Sequence, residues 1–169
     1  MPDPSVPVRD VMAMIEFSSL PDEARVWLFG ISPQLDASAT ATVTARVNDF
    51  ISSWKSHGEE IVAASDVIEG TFLAVAVTPQ SEASGCSIDR MFGLLGKLES
   101  DLGVAIIDSE RIFFRDTGGT VRTTSRAEFA KVAMAATPVF DITAERVSSL
   151  RSGAWERPAE DSWHARLLA

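Results

Sequence analysis

Tyrosine is missing from this 169-residue chain, cysteine occurs once, histidine twice and lysine three times. The single cysteine, Cys86, excludes an intrachain disulfide. One cysteine and two histidines, with no local ligand spacing between them, make no metal-binding motif, so neither a metal nor another cofactor is expected. Long apolar runs are also missing. The longest, Phe72-Leu73-Ala74-Val75-Ala76-Val77, is far short of the roughly 20 residues that cross a bilayer as a helix, and no membrane insertion is expected. Basic excess is missing too. Acidic residues outnumber basic ones 24 to 15, for a net charge of −9. Such a chain would meet repulsion at a phosphate backbone where a nucleic-acid binder gains counterion release, so nucleic acid is excluded as a partner.

What is present describes a globular protein. Hydrophobic residues make up 46% and charged residues 23%, too apolar for a disordered chain. The acidic excess sits in the first half: residues 1–85 hold 12 acidic and 4 basic side chains, residues 86–169 hold 12 and 11. The start, Met-Pro-Asp-Pro-Ser-Val-Pro-Val-Arg-Asp, lacks the basic end and apolar core of a signal peptide. Residues 1–16 therefore read as a flexible extension and 17–169 as a single domain in a reducing cytoplasm.

The periodic segments come in a readable order. Ala24 to Phe29 has the aromatic and branched composition of a strand, and Gly30 reads as its stop. A helix is expected from about Asp36 to residue 57, with Val43, Val47, Phe50, Ile51 and Trp54 on one face and Gly58 as its left-handed stop. Residues 61–68 and 71–78 read as strands joined at Glu69-Gly70. A second helix follows, with a stripe through Ile88, Met91, Phe92, Leu95, Leu98 and Leu102, Ser87 as its cap and Gly103 as its stop. Gly93 and Gly96 inside it each cost about 1 kcal/mol against alanine, which points to a close neighbour on that face or else to neutral drift. Residues 104–107 read as a fourth strand. This β-α-β-β-α-β order predicts an α+β fold with a ferredoxin-like split β-α-β core over 17–108. The first and third strands, expected in the middle of that sheet, are apolar at both parities (Val26 to Phe29 and Phe72 to Val77) and need cover on both faces. Two helices cover one, so residues 109–169 are expected to cover the other.

That second part opens with a hairpin, Arg111 to Arg115 against Thr120 to Thr123. Ser125-Arg126-Ala127-Glu128 has capping-box spacing and predicts a short helix to about Ala135. Val139 to Asp141 reads as a short strand. Past Gly153 the pattern turns irregular but keeps Trp155 and Trp163, which predicts that the final stretch packs down as a latch. Arg111, Arg115 and Arg122 form either a cationic strip or a solvated strand face neutralised by Glu110, Asp116 and Glu128.

Three runs, Leu20-Pro21-Asp22-Glu23-Ala24-Arg25-Val26-Trp27, Ala83-Ser84-Gly85-Cys86-Ser87-Ile88-Asp89 and Asp161-Ser162-Trp163-His164-Ala165-Arg166, resemble those of a family of small uncharacterised bacterial proteins often labelled "ABC transporter ATPase". The resemblance covers most of the chain from about residue 17 and implies no activity. The label itself meets no support in the residues. A phosphate-cradling loop needs four residues between Gly and Gly-Lys-Ser/Thr. Gly93-Leu94-Leu95-Gly96-Lys97-Leu98 has two, lacks the hydroxyl, and lies inside a predicted helix, so ATP hydrolysis is not expected.

Two readings of function remain. Cys86 stands at the start of the second predicted helix, where free amides and the dipole favour a thiolate, whereas Asp89 nearby opposes it. His164, with Asp161 three residues before it, offers a base and an orienting carboxylate, and Asp89 is an alternative orienter. The first reading is a binding or interaction protein whose site joins the Gly85-Cys86-Ser87 turn to the Asp161–Arg166 latch. Ser87, Asp89, Trp163 and Arg166 would be its contact residues, and a small molecule or a protein its partner. The second is a thiol-dependent hydrolase or transferase with Cys86 as nucleophile and His164 as base. A lone cysteine is also commonly a small packing residue, and Asp161 to Arg166 a purely structural latch. Sheet edges of this fold can pair between subunits, so a homodimer is compatible with the pattern.

Overall fold

The computed structural model describes residues 15–168, so the proline-rich extension lies outside the described residues except for Ile15 and Glu16. After a 3-10 turn at Phe17–Ser19 comes strand β1 (Arg25–Gly30). Gly30 belongs to this strand rather than stopping it, and pairs with Phe72. Helix α1 (Ala37–Ser52) is capped by Asp36, whose carboxylate accepts the Ala39 amide at 2.7 Å. It buries Val43, Val47 and Ile51.

The helix ends five residues before the expected position. Trp54, just past its end, is buried and donates its indole N–H to the Ser87 carbonyl at 2.9 Å. The chain then makes a minimal hairpin of β2 (Lys55–Ser56) and β3 (Glu59–Glu60). Its two turn residues, His57 and Gly58, both have positive φ (52° and 80°), the backbone that suits the twist of a two-residue hairpin. Gly58 is therefore a hairpin residue, not a helix stop.

Strands β4 (Ala63–Ile68) and β5 (Phe72–Val77) follow. Helix α2 (Gly85–Leu102) begins earlier than expected, because Ser84 and not Ser87 caps it: the Ser84 hydroxyl accepts the Ser87 amide at 3.2 Å. Gly103, with φ 66°, ends it as the sequence predicts. Gly93 and Gly96 do not answer a close neighbour, since a Cβ at either would meet nothing within 4 Å. The expected fourth strand at 104–107 is reduced to one bridge, in which Ala105 and Ser32 exchange backbone bonds at 2.7 and 3.0 Å. The amides of Ile106 and Ile107 go instead to the Glu99 carboxylate, at 2.7 and 3.1 Å, which removes the donors that would lengthen a strand ladder.

The three long strands make an antiparallel sheet in the order β1-β5-β4. Every residue of the central β5 is buried. Side-chain alternation divides it between two cores. Leu73, Val75 and Val77 join Phe29 and the stripes of α1 and α2, while Phe72, Ala74 and Ala76 join Val26 and Leu28 on the opposite face.

That opposite face is covered by the C-terminal part. Its elements are β6 (Arg111–Arg115), β7 (Val121–Ser125), α3 (Arg126–Val132), β8 (Pro138–Phe140), α4 (Val147–Arg151) and β9 (Glu156–Pro158). The strands form a second sheet in the order β7-β6-β8-β9. Ser125 caps α3 by accepting the Glu128 amide at 3.2 Å. Two 3-10 turns, Ala159–Asp161 and Trp163–Leu167, close the chain.

The seam between the two parts is aromatic. Phe72 of the first sheet meets Phe113, Phe140 and Trp155 with ring centroids 5.2, 4.7 and 4.9 Å apart. Each such pair contributes about 0.5–1.5 kcal/mol beyond the area it buries. Arg115 clamps the rim of this seam, bonding Glu69 of the β4–β5 turn, Glu156 of β9 and the Gly119 carbonyl while lying over the Phe140 ring. Arg122 pairs with Asp116 and Arg111 with Asp108, so these three arginines each have a carboxylate partner. Among the described residues no helix is long and apolar enough to cross a membrane.

Candidate functional site

The sequence-nominated residues separate into two places. At the first, the start of α2, Cys86 is exposed. Ser87 beside it is 1% exposed and spent on structure: its hydroxyl donates to the Ser84 carbonyl at 2.7 Å, and its own carbonyl receives the Trp54 indole. Asp89 is exposed one turn on. The Ser84 amide donates to Ser56 Oγ at 3.2 Å, which ties this helix start to the β2–β3 hairpin.

The second place is the C-terminal turn. Its sharp entry follows from Ser162, which is 8% exposed and bonded to His164 Nδ1 at 2.8 Å. His164 itself is 1% exposed, stacked on Trp163 with centroids 4.0 Å apart and edge-on to Phe129 of α3 at 6.0 Å. Burial holds its pKa down at about 4; Arg157 and Arg126 push the same way and Asp141 opposes them. The imidazole is therefore neutral near pH 7. Trp163 packs on the small core of Ile112, Phe129, Val139 and Ala159. Asp161 is exposed and makes no side-chain bond among the described residues.

Cys86 takes no part in the hydrogen bonds, ring contacts or cavity wall around His164. Trp163, His164 and Arg166 thus share one cleft wall, to which Cys86, Ser87, Asp89 and Asp161 do not contribute; Asp161 lies in the adjoining 3-10 turn. Nor do three or more His, Cys, Asp or Glu side chains converge as a metal-binding group among the described residues.

What the latch does face is a cleft of about 510 Å³. It lies between the end of β1 (Leu28 to Gly30), Phe92 of α2, the 106–109 loop, the start of β6, and the turn carrying Trp163, His164 and Arg166. Its size falls within the roughly 300–1,000 Å³ typical of small-molecule sites. Aromatic residues from five separate segments line it: Phe29, Phe92, Phe113, Phe140 and Trp163. Arg111 and Arg126 add charge beside Arg166.

The contributions of Phe92, Phe113 and Arg126 were not legible as site features. Phe92 reads as part of a helical core stripe, Phe113 as a strand residue and Arg126 as part of a cap. Their convergence depends on how the second sheet docks, for which no sequence spacing gives a signal. No family model matches the chain, and no similarity to a curated protein or to a solved structure is found.

Proposed function

We propose that this protein is a binding module for a small organic molecule, with the cleft between the β1 end, α2 and the C-terminal turn as its site. The observation that carries the reading is the convergence there of five aromatic rings and three arginines from segments far apart in the chain. Apolar walls with a few fixed polar groups are the usual make-up of such sites. The reading keeps the latch half of the site expected from the sequence and replaces the Cys86 turn with β1, α2 and β6. No observation favours the thiol-dependent alternative.

The order β1-β5-β4, with Ala105 bridged beside the segment after β1, is compatible with a ferredoxin-like core whose fourth strand has shrunk to a single pair. We hold that finer description, and membership of the small bacterial family named above, as proposals.

The test is a fluorescence titration with N-phenyl-1-naphthylamine, a neutral aromatic probe. Saturable binding is expected in the wild type and at least about tenfold weaker binding in Ser109→Trp. Ser109 is exposed and lines the cleft, so the indole would occupy part of it without disturbing a core. Absence of saturable binding both by this probe and by its 8-sulfonate, or equal binding by a folded Ser109→Trp protein, would overturn the reading.

A further inference from the structure

The cleft carries charge opposite to that of the chain. The protein as a whole has a net charge of −9, yet the titratable side chains on the cleft wall are three arginines, one aspartate and His164. His164 is neutral near pH 7 for the reason given above. Arg111 is the arginine already engaged: its Nε lies 3.2 Å from Asp108 and its Nη1 donates to Ser32 Oγ at 3.4 Å. Arg126 is held loosely by Glu110 at 3.3 Å, with both side chains about half exposed or more, a pair that solvent screens almost completely. Its guanidinium lies 5.4 Å above the Trp163 ring. Arg166 has no ion pair among the described residues and is exposed.

Two residues of the same wall carry polar atoms with bonding capacity left over. Trp163 Nε1 is buried with no acceptor among the described residues. His164 uses only Nδ1, for Ser162, and its Nε2 has no partner among the described residues. A buried polar group without a partner costs free energy, and a ligand that supplies the partner removes that cost. The wall residues thus combine aromatic side chains, an excess of guanidinium over carboxylate charge, and polar atoms without partners among the described residues.

From this combination we infer that the cleft takes a small aromatic anion, an aryl carboxylate or sulfonate. Its ring would lie among Phe29, Phe92 and Phe113, with its anionic group at Arg166 and Arg126. The planar guanidinium fork matches the two oxygens of a carboxylate. Ring edges and faces in the wall suit an aromatic body, which such contacts orient as well as bury. The inference rests on the cleft being the binding site, and deepens that reading by naming the ligand class.

The experiment compares two probes that share one apolar body. 8-Anilinonaphthalene-1-sulfonate carries an anionic group and N-phenyl-1-naphthylamine does not. The sulfonate is expected to bind at least about tenfold tighter, and Arg111→Gln/Arg126→Gln/Arg166→Gln to bring the ratio of the two affinities close to one. Should the triple variant fail to fold, Arg166→Gln alone, at an exposed position, is expected to lower the ratio by about threefold. 1-Naphthoate is expected to displace the bound sulfonate, and its neutral amide to do so at least about tenfold less well. Equal affinity for the two probes would overturn the anion preference while leaving the cleft as a binding site. Failure of both probes to bind would remove the cleft as well. A preference that survives in the folded arginine variants would overturn the assignment, as would displacement of the probe by inorganic phosphate as readily as by naphthoate.

Discussion

Gly30 and Phe113 occupy one another's space in the only way two residues there can: a Cβ on Gly30 would stand 2.1 Å from Phe113 Cε2. The glycine at the end of β1 is a seat for the ring that joins the second sheet to the first, and both residues also line the cleft. Substitution by alanine must push Phe113 out of a fully packed cluster or bend the strand. Gly30→Ala is therefore expected to cost about 2–3 kcal/mol. Combining it with Phe113→Leu should cost less than the sum of the two single changes, because the smaller side chain relieves the overlap. Urea unfolding of the four proteins in this cycle measures the coupling. Additive costs would mean the overlap is not what constrains Gly30.

The glycines of α2 behave in the opposite way. A Cβ at Gly93 or Gly96 meets open space, and both residues sit in regular helix. Alanine there removes backbone freedom from the unfolded chain and adds no clash. Gly93→Ala and Gly96→Ala are each expected to stabilise the protein by up to about 1 kcal/mol, raising the melting temperature by roughly 2–4 °C. A fall in melting temperature would reveal a packing demand on that face.

These two cases show where local pattern informs and where it stops. The stripes of α1 and α2, the stop at Gly103 and the cap at Ser125 depend on residues within one or two turns, and each was readable from spacing. So was the central position of the doubly apolar 72–77 strand, because burial on both faces leaves its mark on composition, whereas the first strand, expected in the middle beside it, stands at the edge of the three-stranded sheet with only the Ser32–Ala105 bridge beyond it. The helix after Pro33 was read too long because Trp54 falls on the right stripe, yet its burial is achieved from outside the helix through a bond to Ser87. Residues 104–107 look like a strand by composition, but Glu99 takes two of their amides. Val147–Arg151 and Glu156–Pro158 were missed because both are short and are held by contacts distant in sequence. The nominated site meets the same limit. Spacing described the turn around Cys86 and the latch around His164 separately, and nothing local says whether they meet.

Exposure of Cys86 makes a chemical prediction. The thiol stands in the first turn of α2, open to solvent, and neither bonds His164 nor shares its cleft wall. It should react stoichiometrically with iodoacetamide in the native protein, one label per chain. Because the imidazole is not its partner, His164→Ala should leave that rate within about twofold. A drop of about tenfold or more in a folded His164→Ala protein would restore the thiol–imidazole pair as the centre of a catalytic site.

His164 also sets an acid limit on stability. In the unfolded chain its imidazole titrates near the ordinary value of 6.5, whereas in the folded protein burial holds it at about 4. Between those two pH values the unfolded chain takes up a proton that the folded one refuses, so acid favours unfolding. The contribution is complete above pH about 6.5 and is lost progressively as pH falls to about 4, amounting to about 3 kcal/mol over the window. Burial sets this direction, and the charged groups facing the ring divide over it. Arg126 and Arg157 oppose a second positive charge, and Asp141, which favours one, is itself engaged by Arg157 at 2.8 Å. Urea midpoints measured from pH 8 down to pH 4 should therefore fall more steeply in the wild type than in His164→Gln, where no titrating ring remains. Parallel curves for the two proteins would show that the imidazole is not kept neutral by its burial.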